Sequence, residues 1–360
     1  MIGAGETSAD MRYASGVATP DDIVWIEAGD RRLLLVSALE FDRVKQASPK
    51  AEVILDQPDG ELPERLFRWA ERLGVSAFTV PEDFPLSVAD ELRSLGLKIT
   101  AAKKAFFPER EFKSMQELRW IIQALRGAEA GCRRAFEVLR ESEISASDQA
   151  LFWHGAPLTS EILRFEIDCR MMQCGMHSTG TICAGGRQGA QPHNVGQGQL
   201  YAGQPIVMDI FPRSAATGYW GDLTRTVVRG QAPEIVKKAF AAVLEAREAA
   251  KRHLAAGVSA ALLHNEAADL LTAAGFPTGV GPDGHYGFFH GLGHGVGLEI
   301  HEKPRLSPRN VDLLSGGEVV TIEPGVYYPE WGGIRLEDMA YVPSHGPAQI
   351  LTEIETFLEI

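Results

Sequence analysis

Four carboxylates interrupt otherwise apolar, strand-like runs, and that pattern most constrains what this chain can fold into. Asp209 sits in Ile206-Val-Met-Asp209-Ile-Phe211, Glu323 in Val319-Val-Thr-Ile-Glu323-Pro-Gly-Val326, and Asp222 and Glu337 occupy similar short runs. A charge turned toward a sheet interior is costly unless it is paired or bound to a cation. Taken singly, each reads best as an outward-facing strand residue or half of a buried ion pair. A histidine cluster lying between them in sequence changes the balance. His290-Gly-Leu-Gly-His294-Gly-Val-Gly-Leu-Glu-Ile-His301 places three histidines within twelve residues. Its four glycines permit close backbone approach, which suits a site better than a packed strand. One histidine with four carboxylates is a hard, mostly oxygen donor set. It suits two divalent ions such as Mn²⁺ or Co²⁺, with Zn²⁺ also within its range. Two such ions about 3.5–4 Å apart can polarise a carbonyl and generate a hydroxide nucleophile.

The rest of the chain organises around that region as two domains, 1–110 and 111–360. In the first, Asp22-Ile-Val-Trp-Ile-Glu-Ala28 and Arg32-Leu-Leu-Leu-Val36 flank a Gly29-Asp30 turn and predict a hairpin. Strand patterns at 51–55, 75–80 and 97–100 alternate with helical patterns at 62–73, stopped by Gly74, and 87–95, stopped by Gly96. Such alternation predicts a small α/β layer domain. The charged, proline-bearing stretch Lys103–Arg110 breaks it, and Ser114-Met-Gln-Glu117 then forms a capping box opening a long amphipathic helix to about Arg140. Beyond it, helical patterns at 159–174, 233–256 and 259–274 are segregated from β-type runs at 204–211, 219–228, 318–323 and 333–342. This arrangement predicts an α+β domain with helices over a curved antiparallel sheet.

Jointly, Asp209, Asp222-Leu-Thr-Arg-Thr226, the histidine cluster, Ile322-Glu323-Pro-Gly-Val-Tyr327 and Ile334-Arg335-Leu-Glu337-Asp338 resemble the pita-bread metallopeptidases, the group of Xaa-Pro dipeptidase, aminopeptidase P and methionyl aminopeptidase. The motifs span Pro192 to Asp338, and the N-terminal region with Met11-Arg-Tyr-Ala-Ser-Gly16 resembles the creatinase-type domain that methionyl aminopeptidases usually lack. The resemblance implies that Asp209, Asp222, His294, Glu323 and Glu337 are metal ligands. Asp222 and Glu337 would be shared by both ions, and Glu323 would also be general base and acid for a bridging water. It further implies that His193 lies near the scissile peptide, that His290 and His301 hold substrate and the tetrahedral oxyanion, and that Arg335 orients carboxylates or substrate. A proline-containing dipeptide or short peptide is the implied substrate, and a homodimer the implied assembly. Asp222 follows Asp209 by thirteen positions, two more than is usual in that family. Side chains alternate faces with period two, so an even insertion keeps both carboxylates on one face of the sheet.

Several other functions find no support. A formal net charge of −13 argues against a general nucleic-acid or anionic-membrane binder. No apolar run is long enough to span a bilayer. The start carries no basic segment followed by an apolar core, and Cys132, Cys169, Cys174 and Cys183 read as reduced thiols, so the expected compartment is the cytoplasm. Those cysteines lack paired zinc-ligand spacing. No Gly-x-Ser-x-Gly elbow supports a serine hydrolase. Two alternatives share the implied architecture: a metal-free creatinase-like amidinohydrolase and a non-catalytic peptide-binding relative. Metal-free relatives have lost several of the carboxylates, whereas all five ligand positions are filled in this sequence.

Overall fold

The computed structural model describes residues 1–48, 51–57, 59–178, 180–282 and 284–360. It divides into two compact units, Met1–Arg110 and Glu111–Ile360.

The first unit is an α/β layer structure. Ile2–Gly3, Ile23–Ala28, Arg31–Val36 and Glu52–Leu55 form one sheet, antiparallel except for its last pairing. The hairpin turns where the sequence predicts, with Ala28 opposite Arg31 and Gly29 at φ +59°, a left-handed conformation that glycine adopts without steric cost. Ala77–Val80 and Lys98–Ala101 form a parallel pair. Helix Leu62–Leu73 keeps the predicted bounds because its apolar face packs inward through Leu66 and Ala70, and Gly74 ends it in the left-handed region.

The second unit carries the predicted helices over antiparallel sheet. Met115–Glu141 starts at Ser114, whose hydroxyl accepts from the Glu117 amide while the Glu117 carboxylate accepts from the Ser114 amide. This helix and Ser160–Gln173 pack against one three-stranded sheet of Ile182–Gly185, Pro205–Ile210 and Leu223–Val228. A second helix pair, Glu234–His253 and Ala260–Ala273, covers another sheet of Glu302–Leu306, Gly293–Gly295, Val319–Ile322, Asp338–Tyr341 and Gln349–Ile350. Val236, Val243, Leu263, Leu271, Val320 and Ile334 belong to the apolar core under that pair. Among the described residues, no helix is long and apolar enough to cross a membrane.

The structure departs from three predicted boundaries. The helix expected to reach residue 256 stops at His253, because Leu254 turns to extended geometry and is buried in the core while the Gly257 amide donates to the Leu314 carbonyl. The run 219–228 is strand only from Leu223, since Tyr219 and Trp220 leave the sheet. The single strand expected over 333–342 is two strands in different sheets. Gly332–Arg335 pairs with Gly325–Tyr328, and Asp338–Tyr341 with Val319–Ile322. Glu337 sits at the break, its amide donating to the Thr224 carbonyl at 3.0 Å.

Candidate active site

The break at Glu337 lies at a cleft of about 1190 Å³ lined by Asp209, Asp222, His193, His290, His294, His301, Glu323, Arg335 and Glu337, so every residue singled out in the sequence faces it. Two sheets of the second unit position four of the five predicted ligands. Asp209 lies on Pro205–Ile210 opposite Thr224, and Asp222 stands two residues before Thr224. Both carboxylates therefore share a face, as the even insertion predicts. From the other sheet come His294, on Gly293–Gly295, and Glu323, just after Val319–Ile322. Gly293 lies so close to the Thr321 carbonyl that a Cβ would not fit, which is what brings the His294 strand against its neighbour.

Ligand atoms of Asp222, His294 and Glu337 lie within 4.8 Å of one another, all buried, and form a group able to hold a metal ion. The other two predicted ligands border it with partners of their own. Glu323 Oε1 lies 3.1 Å from His294 Nε2 and accepts from Thr321 Oγ1 at 3.1 Å. Asp209 Oδ2 accepts from Arg335 Nη2 at 2.6 Å. Arg335 also meets other protein groups, since Nη1 donates to Tyr327 Oη at 2.8 Å and Nε to Thr224 Oγ1 at 3.2 Å.

Three observations fit this donor set to a divalent cation. Glu337 Oε2 accepts from Thr224 Oγ1 at 2.8 Å, but its Oε1 is buried without a hydrogen-bond partner among the described residues. His294 Nδ1 lies 3.2 Å from the Gly295 carbonyl. Donating there leaves Nε2 an acceptor facing the Glu323 carboxylate, a pair that needs a proton or a cation between them. Finally, the carboxyl groups oppose one another. Asp222 is raised well above the ordinary carboxyl range by burial and then by Glu337, Asp209 and Glu323. Glu337 is raised likewise by burial and then by Glu323 and Asp209. For Glu323, burial acts to raise the pKa, but the His294 hydrogen bond and charge, with His290 and Arg335, outweigh it and lower it to about 2. A bound cation would relieve the opposition that burial enforces.

The histidines differ in setting. His290 Nε2 lies 2.9 Å from Tyr327 Oη and Nδ1 2.7 Å from the Gly291 carbonyl, and burial lowers its pKa. His301 packs its ring edge-on against His294 at 4.4 Å and is lowered to about 4 by burial and then by His294. His193 is exposed on the cleft wall. Sequence reasoning missed Tyr327, Thr224 and Arg305. Tyr327 ends a quoted motif, and Thr224 shares the Asp209 face by period-two spacing, so each left a signal. Arg305 lines the cleft and makes no ion pair among the described residues, a fact that appears only in three dimensions.

Comparison with known proteins agrees with this geometry. Residues 119–344 match metallopeptidase family M24. The sequence is 30% identical to an Xaa-Pro dipeptidase of Pyrococcus furiosus over 352 residues, covering 95% of this chain and 90% of that protein. The fold superposes on the prolidase from Pyrococcus furiosus with TM-score 0.81 at 26% identity, covering 97% of this chain and 95% of the other. It also superposes on an X-Pro aminopeptidase from Thermotoga maritima with TM-score 0.84 at 25% identity, covering 100% and 96%. A cleft that gathers buried carboxylates and a histidine inside the matched span, on this fold, identifies the chain as a peptidase with the pita-bread fold that belongs to metallopeptidase family M24.

Proposed function

We propose that this chain is a dinuclear metal-dependent exopeptidase that hydrolyses the Xaa-Pro bond of dipeptides and short peptides. The observation that carries this reading is the convergence of four carboxylates and His294 on one cleft, with buried Glu337 Oε1 unpartnered among the described residues. In this reading Asp209, Asp222, His294, Glu323 and Glu337 hold the ions, with Mn²⁺ as the working metal. Bound there, divalent ions supply Lewis-acid polarisation of the peptide carbonyl and acidify water. The chain's own groups do the rest. In this reading Glu323 takes a proton from the attacking water and passes it to the proline nitrogen as the C–N bond breaks. His290 and His301 hold the substrate and its oxyanion in the same reading. His193 borders the scissile peptide, and Arg335 fixes Asp209. The working protein in this reading is a cytoplasmic homodimer.

Arg305 favours dipeptides within this class. It lies on the cleft wall with no ion pair among the described residues, and an arginine fork matches a free carboxylate. The test is turnover of Ala-Pro, Ala-Pro amide and Ala-Ala in Mn²⁺, with metal measured by elemental analysis. Ala-Pro should be the best substrate, and Arg305→Met should erase its advantage over the amide. Comparable turnover of Ala-Ala and Ala-Pro would overturn the proline reading. Activity that survives verified removal of metal would favour the amidinohydrolase alternative.

A further inference from the structure

The connection between Asp209 and Asp222 does more than join two strands. After Ile210 the chain leaves the sheet, pairs Arg213–Ser214 with Met176–His177, turns through Gly218 and returns as Tyr219 and Trp220. These two aromatic residues point to different anchors. Tyr219 Oη donates to Glu117 Oε1 at 2.7 Å, and its ring lies 5.4 Å from that of Trp120 on the long helix. The Trp220 amide donates to the Gly297 carbonyl at 2.9 Å, and its indole Nε1–H to the Leu298 carbonyl at 3.1 Å.

Gly297-Leu-Glu-Ile-His301 is the segment that brings Ile300 and His301 to the cleft. Its far end is held by Glu302, whose carboxylate accepts from Lys113 Nζ at 2.5 Å and from the Glu299 amide. The Lys113 side chain is 1% exposed. A Cβ on Gly297 would run into that carboxylate, so glycine is what lets Glu302 lie against the backbone. Lys113 and Glu117 flank the start of the same long helix. The hairpin and the His301 segment are therefore anchored to one rigid base, from opposite ends.

We infer that Trp220 and the Lys113–Glu302 pair are positioning residues for His301. Trp220 and Lys113 do not line the cleft. They act by fixing the backbone from which the imidazole meets substrate, so the inference rests on the reading of His301 given above.

Trp220→Phe keeps an aromatic ring and removes the donor to Leu298. In the Mn²⁺-loaded enzyme it should lower kcat on Ala-Pro by about 10-fold, because small misplacements of a reacting geometry are costly. Bound metal per chain should not change, and hydrogen–deuterium exchange should accelerate in peptides covering 297–302. A cycle with His301→Ala isolates the route. If Trp220 works through His301, Trp220→Phe has no further effect once the imidazole is gone. Lys113→Met should reproduce the behaviour from the other end, and Lys113→Arg should recover it. The same 10-fold loss in the His301→Ala background would overturn the inference, as would unchanged kcat and exchange in Trp220→Phe. A His301→Ala enzyme with undiminished kcat would instead overturn the reading of His301 and with it this role, while faster exchange in Trp220→Phe would still identify the clamp.

Discussion

Replacing Glu337 with glutamine should move stability in opposite directions with and without metal. Glu337 is 1% exposed, and glutamine fits the same space while keeping an acceptor for Thr224 Oγ1, so the change is one of charge rather than shape. The ligand atoms of Asp222, His294 and Glu337 lie within 4.8 Å of one another. Two unit charges at 4.8 Å repel by about 3.5 kcal/mol at an effective dielectric constant near 20. That figure sets the scale of the gain to metal-free protein, and partial protonation already relieves part of the repulsion. For a unit of this size, 1 kcal/mol moves Tm by about 2–4 °C, so chelated Glu337→Gln should melt up to roughly 10 °C above chelated wild type.

The pH dependence gives the sign independently. A carboxyl whose folded pKa is raised favours the native state below the unfolded pKa, and that contribution is lost as pH rises through the folded value. Metal-free wild type should therefore lose stability from pH 5 upward more steeply than the variant. With metal the order reverses. An ion at a hundredfold excess over Kd stabilises by about 2.7 kcal/mol, and each tenfold loss of affinity removes about 1.4 kcal/mol of that. Calorimetric melting of chelated and Mn²⁺-titrated samples, with elemental analysis and kcat on Ala-Pro, measures all of it. A variant that binds two Mn²⁺ per chain with near wild-type kcat, or melts below wild type after chelation, would refute the assignment.

Three further outcomes are expected. His294→Ala should lower metal occupancy, whereas His290→Ala and His301→Ala should keep metal and lose about 10²–10³ in kcat; equal metal loss in all three would mean the cluster is misassigned. Asp338→Asn should cost about 3–5 kcal/mol in urea unfolding at pH 7, because its carboxylate meets Arg225, Arg247 and Lys251 in a buried network. Burial acts to raise the Asp338 pKa but those cations lower it, so its contribution is present at neutral pH and fades only as acid approaches the lowered value. Exhaustive chelation should abolish turnover and lower Tm by a few degrees while far-UV circular dichroism stays native-like, since apolar cores rather than the ion carry the fold; re-added Mn²⁺ or Co²⁺ should restore both.

Helices were legible where a periodicity met its own stop signal. Leu62–Leu73 ends at Gly74, and the long helix begins at the Ser114–Glu117 box, because these are local backbone events that local residues decide. The run ending at Val342 was not legible in the same way. Its apolar alternation continues through Leu336 and Glu337, yet the backbone changes sheets there, and the deciding hydrogen bond comes from the Thr224 carbonyl, far away in sequence. Strand boundaries belong to the pair, and one member of the pair cannot announce them.

The same distinction separates the faces of the site from its contacts. Parity alone puts Asp209 and Asp222 on one side of the sheet whatever the length of an even connection, and the register of Asp209 with Thr224 obeys it. Parity says nothing of what the connection does once it leaves the sheet. Sequence spacing reveals two extra residues between the carboxylates but not that Trp220 reaches Gly297 and Leu298, because those acceptors are backbone carbonyls with no side-chain signature. Arg335 is a similar case. Its place beside Glu337 marks it as part of the site, and only the fold decides that Asp209, Tyr327 and Thr224 occupy its donors. Arg305, which left no motif, lines the cleft wall with no ion pair among the described residues. Residue type and period therefore tell which groups can enter the cleft, while the division between groups that hold the site together and groups left over for substrate is a property of donors already spent.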